Sequence, residues 1–219
     1  MITLSQAHLY GILDTEYVSS SNIAEMTGQL LEGGADILQL RAKHSSEAEI
    51  IAMAQEIQPL AKAAKKIFVI NDFPHLVPIV NADGVHIGQD DMSVDQARRL
   101  AGPFAIVGLS THSLKQVKKA VDDKPDYIGF GPLFPTATKP DYPPIGLDDI
   151  AAAHDLVTFP IFCIGGITQK NLPLVIKKGA QRVVIVSELL KSKNLTLTAR
   201  ACCKMLKETQ EPKNNNSLL

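Results

Sequence analysis

The sequence predicts an α/β protein with a single domain, a (β/α)8 TIM barrel, and three patterns carry this prediction. Short β-branched runs alternate with amphipathic stretches of about ten residues or more. The alternation repeats eight times over about 210 residues, which is the count for such a barrel. Runs such as 67–70 and 183–186 are apolar without alternation, as in parallel strands buried on both faces. A doubly wound open sheet could use the same units but usually has fewer strands, so we expect the barrel.

Each strand is predicted from a short run that is rich in β-branched residues and bounded by turn residues. The eight runs are Ala7–Leu13, Ile37–Arg41, Ile67–Asn71, Gly84–Ile87, Ala105–Ser110, Tyr127–Gly131, Pro160–Ile164 and Val183–Val186. No low-complexity linker interrupts them, so residues 1–210 are expected to form the barrel. Residues 211–219 are rich in Asn and include Pro212, which predicts a disordered tail.

Helix starts and ends are also visible. Ser46, Ser93 and Ser113 are each followed three residues later by Glu or Gln, the pattern of a capping box in which two residues satisfy each other's free backbone N–H groups. Glycines at 33–34, 102 and 179 predict helix ends before the second, fifth and eighth strands. The first box predicts a buried face of Ile50, Ala54, Ile57 and Ala61, and the third predicts one of Leu114, Val117 and Val121.

Composition excludes several classes of protein. The 219 residues carry 22 Lys and Arg against 23 Asp and Glu, and a net charge of -1 argues against a nucleic-acid binder, which is usually basic. No apolar run approaches the ~18 residues that a membrane helix needs. The first residues lack the basic and apolar regions of a secretory signal. Three cysteines make no disulfide framework and are expected to be reduced, as in a cytoplasmic protein.

The second predicted strand ends in a pattern that indicates an anion site. Active sites of (β/α)8 barrels lie at the carboxyl ends of the strands. Gln39, Arg41 and Lys43 are two residues apart, so they share one side of an extended strand. Two cations and an amide at the barrel mouth would bind an anion. The alternative is a solvated pair of loop charges.

Carboxylates follow the next two strands. Asp72 comes directly after the third strand, and Asp90 and Asp91 follow the fourth. Each alone could cap a helix. Together with the neighbouring cations they favour a magnesium site, because Mg²⁺ prefers one or two carboxylates completed by water and substrate phosphates. We therefore predict a metal-bound diphosphate at this edge.

A second anion site is predicted around strands six to eight. The sixth strand runs into a long loop, 129–139, with two threonines and Lys139. Gly165-Gly166 follows the seventh strand and Val186-Ser187 ends the eighth. Loops in these positions commonly bind phosphate, and glycines let backbone N–H groups approach an anion closely. An enzyme with two such sites could join two phosphorylated substrates.

These residues give the chain a strong resemblance to thiamine-phosphate synthases. The matching segments, in order and each at a strand end, are 39–43, 71–72, 82–91, 108–113, 126–139, 164–167 and 186–187. The resemblance implies a transferase that joins 4-amino-5-hydroxymethyl-2-methylpyrimidine diphosphate to 4-methyl-5-(2-phosphoethyl)thiazole, releasing pyrophosphate. It also implies one Mg²⁺ per site. One departure is the first strand end, Gly11-Ile12-Leu13-Asp14-Thr15, where relatives more often show a Thr-Asp pair.

By matched position, the resemblance also implies residue roles. Asp72 and Asp91 would be the magnesium ligands, and Asp90 is left as an open neighbour. Arg41, Lys43, Ser110 and Lys139 would be catalytic. The expected substrate-binding residues are Gln39, Leu40, Arg41, Ala42, Lys43, Asn71, Ser110, Thr136, Ala137, Thr138, Lys139, Gly166, Val186 and Ser187.

Two other functions stay open at this point. A thiazole tautomerase on the same barrel would need a histidine acid or base, and His112 stands where one could act, although its residue type and place favour a helix-cap or core histidine. A non-catalytic barrel that binds thiamine phosphate would keep the cavity without turnover. Neither needs the full set of cations and carboxylates. The sequence also leaves open whether the chain forms a homo-oligomer.

Overall fold

The computed structural model describes residues 2–136 and 143–208, and its strands close into one parallel barrel. The strands are β1 Leu9–Asp14, β2 Ile37–Arg41, β3 Ile67–Asn71, β4 Gly84–Ile87, β5 Ile106–Thr111, β6 Tyr127–Phe130, β7 Ile161–Cys163 and β8 Val183–Ile185. Each strand pairs with the next in sequence, and β8 closes the ring on β1. The predicted fold class is confirmed, and every strand begins and ends within two residues of its predicted position. The predicted tail, 211–219, lies outside the described residues.

Helices follow the strands and form the outer layer. Those in the described residues are α1 Ile23–Glu32, α2 Glu47–Ala63, α3 Val77–Val80, α4 Val94–Ala101, α5 Leu114–Asp123, α6 Ile150–Leu156, α7 Leu172–Lys177, α8 Ser187–Leu190 and α9 Leu195–Glu208. Short 3₁₀ turns lie at Leu4–Gln6, Ser20–Asn22 and Pro74–Leu76. No helix in the described part of the chain has the length and apolar character needed to cross a membrane.

The predicted helix caps are confirmed in two cases and differ in the third. Ser46 and Ser93 both close complete capping boxes. Ser113 accepts a hydrogen bond from the backbone of Gln116, but the Gln116 side chain accepts from the backbone N–H of His112 instead of Ser113. The helix start is therefore as predicted, while the reciprocal bond moves one residue outward.

The predicted helix faces are right for α2 and partly wrong for α5. Residues 50, 54, 57 and 61 are all buried on α2. On α5, Val117 and Ala120 are buried while Val121 is 45% exposed. The helix is rotated so that small Ala120 faces the sheet, and this turns Val121 toward solvent.

Two hydrophobic layers hold the barrel. One lies between the strands and the helices, and the other fills the barrel interior. The interior contains three rings, Tyr10, Tyr127 and Phe162, which contact edge to face with centroids 5.4 to 6.0 Å apart. Gly108 makes room for them, because a Cβ there would lie 2.1 Å from Cζ of Tyr127.

Three aspartates fasten the amino ends of neighbouring strands. Asp36, Asp83 and Asp126 each stand one residue before an even-numbered strand. The carboxylate of each accepts a hydrogen bond from a backbone N–H at the start of the preceding strand, from His8 at 2.9 Å, Phe68 at 2.8 Å and Val107 at 2.7 Å. This repeated bond satisfies N–H groups at the barrel base and aligns successive strands.

All three cysteines are free and buried, as expected. Burial raises the pKa of the Cys163 thiol to about 12 and that of Cys202 to about 11. Protonated thiols of this kind are inert packing groups, because the thiolate is the nucleophile and the metal ligand.

Candidate active site

A cavity of about 470 Å³ opens at the carboxyl end of the barrel. Every strand, or the loop that follows it, contributes lining residues. The charged ones are Asp14, Arg41, Lys43, Asp72, Asp90 and Asp91. All of them follow or end β1 to β4, so among the described residues one half of the cavity mouth is charged and the other half is uncharged.

The predicted alternation on β2 is confirmed. Gln39, Arg41 and Lys43 line the cavity. Leu40 and Ala42, which were expected to contact substrate, do not line it; they are 1% and 5% exposed and belong to the layer between strands and helices. The physical reason is the pleat, which turns alternate side chains to opposite faces of the strand.

Arg41 is held by a buried ion pair with Asp14. The two residues face each other in the β1–β2 register, and Nη1 of Arg41 lies 2.6 Å from Oδ2 of Asp14. Their side chains are 11% and 1% exposed. A guanidinium has five N–H donors, so this pair fixes the Arg41 side chain while other donors stay available to an anion in the cavity.

The end of the first strand departs from the pattern of its relatives, and Asp14 at this position is the partner of Arg41. Its carboxylate also accepts from the backbone N–H of Glu16 at 3.1 Å. Sequence reasoning did not assign it a role, although a buried strand-end arginine needs a partner and Asp14 lies on the adjacent strand.

Asp72 and Asp91 meet at the cavity edge. Oδ2 of Asp72 lies 3.4 Å from Nζ of Lys43, and Oδ2 of Asp91 accepts a hydrogen bond from the backbone of Gly88 at 2.6 Å. Asp72 has a left-handed backbone with φ of 65°. Burial and the neighbouring negative charge of Asp91 raise the pKa of Asp72, and Lys43 opposes this in part. A carboxylate whose charge is disfavoured by a second carboxylate beside it is stabilised by a cation shared between the two.

The donor set fits Mg²⁺ better than a metal held wholly by protein. The described residues contain no group of three His, Cys, Asp or Glu side chains that could hold an ion. Two carboxylates leave most coordination positions for water and phosphate oxygens, which is the usual arrangement for Mg²⁺. Zinc sites more often use three or four protein ligands with His or Cys among them.

A chain of buried and half-buried polar side chains crosses the floor of the cavity. Nε2 of Gln39 donates to the Tyr10 hydroxyl at 2.5 Å, and that hydroxyl lies 3.0 Å from the hydroxyl of Tyr127. The Tyr127 hydroxyl lies 3.0 Å from Nδ1 of His86, and Nε2 of His86 lies 2.9 Å from Oγ of Ser110. All five line the cavity. The sequence indicated Gln39 and Ser110 but not the three residues between them.

The other half of the mouth is built from backbone and small side chains. Gly166 has φ of 64°, and a Cβ there would lie 2.7 Å from Cβ of Phe134, so only glycine fits without displacing the loop. Its carbonyl accepts from Nδ2 of Asn171 at 2.9 Å. Thr136, Val186 and Ser187 line the same half, as predicted. The other expected residues of this loop, Ala137, Thr138 and Lys139, lie outside the described residues.

His112 also lines the cavity, with a defined tautomer. Its Nδ1 lies 2.5 Å from the carbonyl oxygen of Gly131. A carbonyl can only accept, so Nδ1 carries the hydrogen. The residue is thus held against the start of the β6–α6 loop, which agrees with a structural role.

Comparison with known proteins identifies the family. Residues 9–189 match the model for thiamine monophosphate synthase. The chain is 40% identical to a thiamine-phosphate synthase of Lawsonia intracellularis, over 87% of this chain and 88% of that protein. A thiamine-phosphate synthase of Chloroflexus aurantiacus is 39% identical, over 93% and 94% of the two chains. The solved thiamine phosphate pyrophosphorylase of Pyrococcus furiosus superposes with a TM-score of 0.86 at 28% identity, covering 93% and 97%. The chain therefore belongs to the thiamine monophosphate synthase family.

Proposed function

We propose that the protein is a thiamine-phosphate synthase that joins 4-amino-5-hydroxymethyl-2-methylpyrimidine diphosphate to 4-methyl-5-(2-phosphoethyl)thiazole and releases pyrophosphate. Family membership supports the activity. The observation that carries the reaction is the charged half of the cavity, where Arg41 and Lys43 stand beside Asp72 and Asp91. Such a charged surface suits a diphosphate leaving group. A rearrangement without a leaving group does not need it.

The charged half would act on the leaving group. We assign Asp72 and Asp91 as ligands of one Mg²⁺, which when bound would neutralise charge on the diphosphate oxygens. Arg41 and Lys43 would stabilise the negative charge that grows as the carbon–oxygen bond breaks. The aminopyrimidine would carry the positive charge until the thiazole nitrogen forms the new bond. No protein nucleophile is required, which agrees with a cavity built of binding groups.

The other half, uncharged in its described residues, would hold the second substrate. Gly166 and Ser187, with Thr136, offer backbone N–H and hydroxyl donors that suit the thiazole phosphate. Thr138 and Lys139 remain part of this proposal from sequence. Holding both substrates in one cavity converts a reaction of two molecules into a positioned one, which lowers the barrier without further chemistry.

A coupled assay for pyrophosphate tests the proposal directly. The purified chain is incubated with both substrates and Mg²⁺, and each component is left out in turn. We expect pyrophosphate and thiamine monophosphate in equal amounts, only in the complete mixture. Isomerisation of a thiazole carboxylate phosphate without pyrophosphate would favour the tautomerase. Tight product binding with no turnover would favour a non-catalytic barrel. A cytoplasmic location and the absence of nucleic-acid partners remain predictions from composition.

A further inference from the structure

The polar chain on the cavity floor has one direction in which each of its hydrogens is used in a hydrogen bond. The chain runs from Gln39 through Tyr10, Tyr127 and His86 to Ser110, with one side chain from each of β2, β1, β6, β4 and β5. Both tyrosine side chains are fully buried in the barrel, and burial raises the pKa of each hydroxyl well above its ordinary value. Each tyrosine therefore keeps its single hydrogen and can donate it only once.

The donors can then be followed from one end to the other. Nε2 of Gln39 donates to the Tyr10 oxygen, and every hydrogen of the series is then used if Tyr10 donates its own to Tyr127. The Tyr127 hydrogen in turn is directed to Nδ1 of His86. That nitrogen accepts, so the ring hydrogen of neutral His86 stands on Nε2 and is donated to Oγ of Ser110.

We propose that Tyr10 and Tyr127 are positioning residues that set the hydrogen-bond polarity of the cavity through Gln39 and Ser110. At one end, the Gln39 amide is oriented to offer Oε1 as an acceptor. At the other, the Ser110 hydroxyl receives a bond and is left with its hydrogen to donate. The chain thus favours a nitrogen heterocycle that presents an amino N–H to Gln39 and a lone pair to Ser110.

Discrimination follows because the ends are coupled. A ring with a carbonyl in place of the amino group would need a donor from Gln39 where Oε1 stands. Rotating the Gln39 amide would supply that donor. The rotation would also reverse the donor and acceptor roles of Tyr10 and Tyr127 and change the tautomer of His86. Otherwise a buried acceptor faces an acceptor, which costs as much as an unmade hydrogen bond. The identification of the ring as the pyrimidine rests on the proposed function; the direction of the chain does not.

The histidine tautomer tests the direction without any substrate. We would label the full-length chain with ¹⁵N-histidine and assign His86 by its loss in a His86→Gln variant. Nδ1 of His86 is expected to show a pyridine-type shift and Nε2 a pyrrole-type shift. His112 is an internal control, because its bond to the Gly131 carbonyl requires the opposite tautomer. A protonated Nδ1 on His86 would overturn the proposal, whatever reaction the protein catalyses.

Conservative variants test the role of the tyrosines. Tyr127→Phe should leave His86 with mixed tautomers. The control is Tyr17→Phe: the Tyr17 ring contacts Lys191 and is not part of the hydrogen-bonded series, so this variant should leave the His86 shifts unchanged. Wild-type shifts for His86 in Tyr127→Phe would contradict the proposal.

Substrate preference gives the second readout. We would compare the KM of the amino-pyrimidine diphosphate with the Ki of its 4-oxo counterpart. Tyr10→Phe should reduce the preference for the amino compound by about 10-fold, since Gln39 is then free to rotate. An unchanged preference in a folded Tyr10→Phe protein would contradict the positioning role. If the wild type releases no pyrophosphate while the His86 tautomer is as expected, the proposed function fails and the direction of the chain stands.

Discussion

The two ends of the barrel use aspartate in opposite ways. At the amino end, Asp36, Asp83 and Asp126 each accept a backbone N–H from a neighbouring strand. At the carboxyl end, Asp72 and Asp91 lie close to each other and to a cation at the mouth of a cavity. The first arrangement satisfies groups that the fold would otherwise leave unpaired. The second holds like charges together, which the fold does not require.

The contrast separates stability from function. Carboxylates that bond backbone N–H groups contribute to the folded state whether or not a ligand is present. A carboxylate crowded by a second carboxylate, as Asp72 is by Asp91, is destabilised until a cation is bound, and such pairs concentrate at functional sites. The same substitution at the two ends should therefore change different properties.

The largest effect is expected at Asp91. Asp91→Asn keeps the size of the side chain but removes one of the two carboxylates that we assign to Mg²⁺. Pyrophosphate release should fall by about 100-fold or more, while the unfolding midpoint changes little. Asp90→Asn is the matched control at the neighbouring residue, and its rate of pyrophosphate release should fall much less. A larger loss in Asp90→Asn than in Asp91→Asn would reverse the assignment of the metal ligand.

A large loss of stability is expected when the buried ion pair is broken. Asp14→Ala leaves the Arg41 guanidinium without its 2.6 Å partner, and an uncompensated buried charge costs about 3 kcal/mol or more. Urea denaturation measures the free energy of unfolding. The double variant Asp14→Ala, Arg41→Met should recover part of the loss, since the stranded charge is gone. No recovery would show that the charge is not the cause.

A smaller loss of stability is expected at the amino end. Asp36 is 4% exposed and accepts from the backbone of His8 and Leu9 and from Lys66. Asp36→Ala should lower the free energy of unfolding by about 2 kcal/mol, because buried donors lose their acceptor. The kcat of the folded variant should be unchanged. Glu32→Ala, which removes a surface pair, is the control and should have little effect. A loss of kcat in folded Asp36→Ala would contradict the assignment of the amino-end aspartates to stability alone.

The smallest effect is a pH dependence at Asp83. Burial raises the pKa of this carboxyl above its ordinary 3.8. Because the folded pKa is the higher one, the contribution of Asp83 to stability is full below pH 3.8 and declines as pH rises through the folded pKa. Asp83→Asn removes this decline. The free energy of unfolding of the variant, relative to that of the wild type, should therefore rise between about pH 4 and 7. Denaturation at both pH values measures the gain, and a gain of the opposite sign would refute it.

The sequence predicted most of the fold because its signals are local. β-branched runs predicted the strands, and glycines such as Gly102, whose φ of 105° ends α4, predicted helix ends. The buried face of α2 followed from helical spacing. The face of α5 was partly wrong because its rotation is set by packing: burying Ala120 leaves Val121 exposed, and spacing alone does not choose between them.

Cavity-lining residues were predicted where alternation along one strand determines which way the side chains point, as for Gln39 and Arg41. They were missed where residues distant in sequence meet inside the barrel. Tyr10 and Tyr127 are 117 residues apart, and their contact depends on barrel closure and on the space left by Gly108. The partner of Arg41 was missed for the same reason, because the β1–β2 register had first to be known.

One matched pair tests the central claim, that carboxylates at the two ends serve different purposes. Pyrophosphate release is measured with both substrates and Mg²⁺ for Asp72→Asn and Asp83→Asn, which make the same change at opposite ends. Asn tolerates the left-handed backbone of residue 72, so both variants should fold. We predict a loss of about 100-fold or more for Asp72→Asn and a rate close to wild type for Asp83→Asn. Wild-type release by Asp72→Asn, or an equal loss in both, would contradict the account.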